Sequence, residues 1–198
     1  MTFKIRLAHI LNVSQDALMP VNRRTEPEAE KRAQLIAAAR ELFIRHGYEA
    51  TPMMRIAQSA GVAPNTIYWY FKDKDELLIA VLDELFEEHL RQFLPMLVRP
   101  LQEQLLWLVA RLGTVSRLMA TVHNRCSESE AIQAWHSRFH RRVEQLFGAQ
   151  LLPHLPRQSI ASELRIAAYT IEGLVTHDVA ESDSRQTCEA LASRWMKM

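Results

Sequence analysis

The chain predicts an all-α protein, with a short three-helix unit at its N-terminal end followed by a larger helical bundle. Three observations carry this. Apolar residues recur at helical spacing over most of the 198 residues. Only 5 glycines are present, and runs of β-branched residues are scarce. Start and stop signals punctuate the periodic segments at intervals suited to helices.

In order, residues 20–30 are polar, with Arg23, Arg24, Glu26, Pro27, Glu28 and Glu30, and read as an arm or a first helical turn. A helix is expected from about Glu28 to His46, its stripe formed by Leu35, Ile36, Ala39, Leu42 and Phe43. Gly47 stops it, since the residue just past a helix often needs a positive φ. Thr51-Pro52 opens a second helix, threonine as N-cap and proline where no N–H is missed. Ile56, Ala57 and Ala60 face inward, Gly61 turns the chain, Val62 anchors the turn, and Pro64 begins a third short helix. Asp73 followed by Glu76 is a capping box for a fourth helix that runs through Leu77, Leu78, Val81, Leu82, Leu85, Phe86 and Leu90 to near Pro95. At 1.5 Å per residue it is roughly 30 Å long. Beyond Leu101 come four or five more helices: one or two within 101–124, then about 128–151, 159–181 and 184–197, with Pro153 and Pro156 separating two of them.

Composition narrows the class. Hydrophobic residues make up 48% and charged residues 24%, ordinary for a soluble globular protein. The net charge of +1 gives little long-range steering, so any positive surface must be local. Cys126 and Cys188 are far apart and form no Cys-x-x-Cys pattern, which fits a reducing cytoplasm. No stretch is apolar for the length of a membrane span; Leu101–Val122 is broken by Glu103, Arg111 and Arg117. The N-terminal run lacks a signal-peptide cleavage pattern, and Met19 is a plausible alternative start. There is no Gly-x-Ser-x-Gly elbow, no glycine-rich phosphate loop and no nucleophile–base set, so no enzyme and no cofactor are expected.

Residues 51–71 read as helix, tight turn, helix. The second helix carries Ile67-Tyr68-Trp69-Tyr70-Phe71, a costly surface unless it packs or binds something. By helical spacing Ile67, Tyr70 and Phe71 belong to the core, while Tyr68 and Trp69 lie on the opposite face. That arrangement suits entry into a DNA major groove.

With these residues in hand, about residues 31–80 resemble the TetR family of bacterial transcriptional regulators. The resemblance rests on Ala38-Ala39, Leu42-Phe43, Gly47-Tyr48, Ala50-Thr51, Ile56-Ala57, Ala60-Gly61-Val62, Thr66-Ile67-Tyr68, Tyr70-Phe71, Lys74 and Leu77. It implies a helix-turn-helix DNA-binding domain at 28–74 after an arm at 1–27, and a ligand-binding and dimerisation domain at 75–198. It further implies a homodimer on a near-palindromic double-stranded DNA operator, most often a repressor, released by a small-molecule effector. The DNA-facing residues are then Thr51, Arg55, Pro64, Asn65, Thr66, Tyr68, Trp69 and Lys74. Asn65 is the best candidate for a base edge, because asparagine pairs with adenine through two hydrogen bonds. Thr51, Thr66, Tyr68 and Lys74 suit phosphate contacts, which set register. The chain departs from the family's pattern at Met54, Arg55 and Ala63; the last removes a side-chain N-cap from the reading helix. Arg55, and Arg23, Arg24 or Lys31 from the arm, offer replacement contacts.

In the C-terminal half, Phe86, Trp107, Arg111, Met119, His123, Trp135 and Phe139 are candidate ligand-binding residues, an apolar set with a few polar groups. Helix-bundle core is the competing reading for each. His136 and His140, with His123 and Cys126, have ligand-like spacing, but Arg138, Arg141 and Arg142 crowd the same helix, favouring a solvated basic face over a metal. Leu164, Ala168, Ile171 and Val175 form an apolar seam that, with Leu191 and Trp195, suits a dimer interface built from the last two helices. Gly173 inside that helix costs about 1 kcal/mol against alanine, which close approach of another helix would explain. A C-terminal surface that binds a protein partner, with no small-molecule effector, is the alternative.

Overall fold

In the computed structural model, residues 26–196 are described, except residue 178. Residues 1–25, with Arg23, Arg24 and all but the last two residues of the expected arm, lie outside the described residues. Among these there are nine α-helices and no strand. They are α1 (Glu26–His46), α2 (Met53–Ser59), α3 (Ile67–Tyr70, entered through a 3-10 turn Pro64–Thr66) and α4 (Lys74–Phe93, leaving through a 3-10 turn Leu94–Val98). Then come α5 (Leu101–Gly113), α6 (Ser116–Arg125), α7 (Glu130–Leu151), α8 (Arg157–Thr176) and α9 (Glu181–Met196). Among the described residues no single helix is long and apolar enough to cross a membrane; α5 and α6 together have the composition but are bent by 76°.

Local chemistry explains most boundaries. Gly47 and Gly61 have φ of 85° and 69°, the left-handed conformation that glycine adopts without strain. After Gly61 the chain reverses, and the Val62 N–H donates back to the Ala57 carbonyl at 3.0 Å, closing α2. Asp73 caps α4 by accepting the Glu76 N–H at 2.8 Å. Glu76 returns a carboxylate to the Lys72 N–H at 2.6 Å, one residue earlier than a standard capping box. Ala63 precedes Pro64 with no side-chain cap.

One boundary corrects the sequence reading. The residue capping α2 is Pro52, and no side chain caps it. Thr51 is fully buried, and its hydroxyl donates to the Gly47 carbonyl at 2.7 Å. It satisfies an orphan acceptor at the end of α1 instead of an orphan donor at the start of α2.

Two apolar cores organise the bundle. The first joins Leu35, Ala39 and Phe43 of α1, Ile56 of α2, Ile67 and Phe71 around α3, and Leu77, Leu78 and Val81 of α4. It does not stop at the expected domain boundary: Leu118 and Val122 of α6 and Ile132 and Trp135 of α7 belong to it. The second gathers Phe93, Leu105, Phe147, Leu151, Leu164, Ile171, Leu191 and Trp195, with α5 packed against both α8 and α9.

Asp73→Ala removes the α4 cap and should cost about 1 kcal/mol in urea unfolding. A loss within error of zero would show that the Asp73 hydrogen bond contributes nothing to the helix.

Candidate nucleic-acid interface and interior cavities

The first four helices present a small outward surface. In α3 the inward side is buried Ile67, with Phe71 behind it. On the other side Tyr68 is 53% and Trp69 88% exposed. Pro64 and Asn65 are exposed on the turn that leads into α3, and Thr66 is half-buried. Exposed Arg55 of α2 lies with a guanidinium nitrogen 3.1 Å from His46 Nε2. Met54 (55% exposed) and Lys72 share this end of the chain. Exposure at Met54 has a signal in the sequence, since it adjoins Arg55 in a helix whose inward positions are Met53, Ile56 and Ala57.

Two expected DNA-facing residues are engaged inside the protein. Buried Thr51 has no side-chain surface to offer a phosphate. Lys74 Nζ donates to the Tyr48 carbonyl at 3.0 Å and sits 4.0 Å over the Tyr48 ring centre. Burial holds its pKa below the ordinary value.

Tyr48 belongs to a wider junction. Its hydroxyl donates to the Asp75 carboxylate. Arg125, the last residue of α6, grips the same carboxylate with Nε and Nη2, each at 2.7 Å, and lies 5.1 Å from the Tyr48 ring centre. Burial alone would raise the Asp75 pKa, but the hydrogen bonds from Arg125 and Tyr48 outweigh it and hold it below the ordinary value. Burial and the same carboxylate push Tyr48 upward. This junction joins the loop before α2, the start of α4 and the end of α6.

Two partly open cavities between the helices share residues of α7 and α8. The smaller, about 110 Å³, lies between α4, α6 and α7. Five of the seven candidate ligand residues line it: Phe86, Met119, His123, Trp135 and Phe139. The other two do not. Trp107 packs on Phe93 at 5.5 Å, and exposed Arg111 covers Trp107 at 5.4 Å. The lining also contains Leu82, Leu85, His89, Leu118 and Val122. Of these, His89 had a helical-spacing signal, one turn beyond Phe86 along α4. The larger cavity, about 350 Å³, lies between α5, α7, α8 and α9, and both linings include His136 and Glu172.

The expected basic face of α7 needs correction. Arg138 and Arg141 are exposed, but His136 and His140 turn inward to the cavities. Their Nε2 atoms are 3.0 Å apart, and His123 meets His136 edge to face at 5.1 Å. Burial, then the neighbouring His140 and His123, pushes the His136 pKa down to about 4. Among the described residues no three His, Cys, Asp or Glu side chains converge as metal ligands.

The expected dimer seam is also corrected. Leu164, Ile171, Leu191 and Trp195 are buried within the chain, because α5 packs against both last helices. Leu164, Ala168, Ile171 and Trp195 line the larger cavity, and Val175 is half-buried against the same core. Ile166, Tyr169 and Met196 are the large apolar residues that α8 and α9 leave exposed. Among the described residues a Cβ at Gly173 would meet nothing within 4 Å, so no close helix there accounts for that glycine.

Residues 35–81 match the family model described as bacterial regulatory proteins, tetR family. The segment is similar to the HTH-type transcriptional regulator TtgR of Pseudomonas putida, 48% identical over 68 residues, covering 34% of this chain and 32% of that protein. It is also similar to the fatty acid metabolism regulator protein of Bacillus subtilis, 39% identical over 74 residues, covering 37% of this chain and 36% of that one. The chain thus spans about a third of the length of these curated relatives in the matched region. In fold the likeness extends further. A transcriptional regulator from Rhodococcus sp. superposes with a TM-score of 0.67 over 84% of this chain and 96% of that one, at 15% identity.

Stability should depend on His136. Its folded pKa lies below its ordinary 6.5, so the unfolded chain takes up the proton first as pH falls. The contribution is intact above about 6.5 and is lost between about 6.5 and 4. Thermal melts at pH 7.5 and 5 should show a smaller drop for His136→Gln than for the parent, although His89, also depressed by burial, keeps part of it. Equal drops would rule out the assignment. The helix-turn-helix geometry and the sequence match coincide in residues 35–81, a segment similar to the DNA-binding part of the tetR family of bacterial regulatory proteins.

Proposed function

We propose that this protein is a DNA-binding transcriptional regulator, acting as a dimeric repressor that a small molecule releases from a near-palindromic operator. One observation carries the DNA-reading part. Trp69 and Tyr68 stand exposed on a short helix whose opposite side is buried, with Asn65 exposed at its entry. Large aromatic rings left in water are costly unless a partner covers them. In this reading α3 lies in the major groove, Asn65 reads a base edge and Trp69 covers a thymine methyl or a sugar. Exposed Arg55 and Lys72 serve phosphates better than Lys74 or Thr51, whose polar atoms are already taken. Residues 28–74 form the reading head and 75–198 the regulatory part, with a core that runs through both.

Two reading heads sit about 34–36 Å apart, or a multiple of it, on successive half-sites. The outer faces of α8 and α9, with Ile166, Tyr169 and Met196 exposed, are the surfaces proposed to pair the two copies. The cavities of about 350 and 110 Å³ favour a small-molecule effector over the alternative of a protein partner on a closed core. A ligand shifts the dimer only by its differential affinity for the bound and released states.

Fluorescence anisotropy of the protein on the DNA upstream of its own gene, against scrambled DNA of equal length, tests the reading. Binding should be at least about a thousandfold tighter to the operator. Asn65→Ala should cut that preference by about tenfold or more, as expected for one lost base contact. Equal affinity for operators selected from random DNA and for scrambled DNA would overturn it.

A further inference from the structure

We propose that the paired cavities select an organic cation, an apolar body carrying a positively charged nitrogen that sits at Glu172. The proposal rests on the ligand-responsive reading above and names the class of ligand. Glu172 is the one carboxylate that lines both cavities. It is half-buried, and among the described residues its only ion-pair partner is His140, with Nε2 3.8 Å from Oε1. No lysine or arginine lines the smaller cavity, where Glu172 is the only acidic side chain. In the larger one Glu144 and Glu172 face a single arginine, Arg165, which is exposed.

The histidine pair supplies at most one positive charge. A hydrogen bond between His136 and His140, whose Nε2 atoms are 3.0 Å apart, requires one bare nitrogen, so the pair holds at most one extra proton. An anionic ligand would therefore bring a second negative charge beside Glu172 without an arginine in the smaller cavity to receive it. A neutral ligand would strip water from the carboxylate and leave it poorly paired. A cation resolves both problems, by a charge-assisted hydrogen bond if it carries N–H and by Coulomb attraction if it does not.

The walls fit the rest of such a molecule. Phe139 stacks on Trp135 at 5.5 Å and meets Phe86 edge to face at 5.5 Å. These rings line the smaller cavity together with leucine, valine and methionine side chains. Aromatic faces attract cations as well as apolar groups.

Three ligands with the same tail test the class: decyltrimethylammonium, decanol and decanoate. Each is titrated calorimetrically into the full-length protein below its micelle concentration at near-neutral pH. The ammonium should bind at least about tenfold more tightly than either other, the scale of one interaction with a charged group. E172Q should abolish that preference, with the ammonium losing affinity and decanol held at least as tightly as by the parent. Should E172Q not fold, the ranking on the unaltered protein decides alone. Decanol or decanoate binding as tightly as the ammonium would overturn the cation proposal and leave the cavity reading intact, as would an unchanged preference in E172Q. Binding of none of the three would overturn both.

Discussion

The Asp75 carboxylate is the point on which the arrangement of this protein turns. It receives Tyr48 from the loop that follows α1 and both nitrogens of a bidentate Arg125 from the end of α6. Charge-assisted, paired hydrogen bonds of this kind are stronger and more directional than neutral ones. Removing one partner leaves a partly buried charge unpaired, which costs more than the bond itself contributes. Lys74 closes the same junction from the other side, through the Tyr48 carbonyl and ring. The loop that precedes α2, and with it the orientation of α2 and α3, is therefore held by a residue of α6.

Helix α6 has a second role. Leu118, Met119, Val122 and His123 line the smaller cavity, while Leu118 and Val122 also belong to the core shared with α1 and α4. A molecule entering that cavity would press on a helix that ends at the Asp75 junction. Close-packed cores answer such pressure by shifting whole elements, because there is little free volume to absorb it. Under the proposed function this is the physical route by which occupancy changes head spacing. Helix α4, roughly 30 Å long at 20 residues, starts at the same junction and runs along the cavity wall.

What the sequence made legible was local. The apolar stripe of α1, the Asp73 cap and the turns at Gly47 and Gly61 depend on residues a few positions apart, and all are present. The core positions of Ile67 and Phe71 and the exposure of Tyr68 and Trp69 follow from helical spacing alone. Legibility ended where distant segments compete for the same group. Thr51 reads as a cap, yet the Gly47 carbonyl takes its hydroxyl. Lys74 reads as a phosphate contact, yet Tyr48, distant in sequence, takes its ammonium. The seam of α8 is apolar as expected, but α5 covers it from within the chain. The arginines of α7 hid its histidines, because spacing alone does not say which side of a helix meets a cavity.

The measurement that bears most directly on this account is a double-mutant cycle across the Asp75 junction. Unfolding free energies are taken for the parent, Tyr48→Phe, Arg125→Met and the double variant. Both residues bind one carboxylate, so the account predicts a coupling energy of about 0.5–3 kcal/mol. Losses that simply add would mean that Tyr48 and Arg125 act independently, and that α6 does not hold the reading head through Asp75.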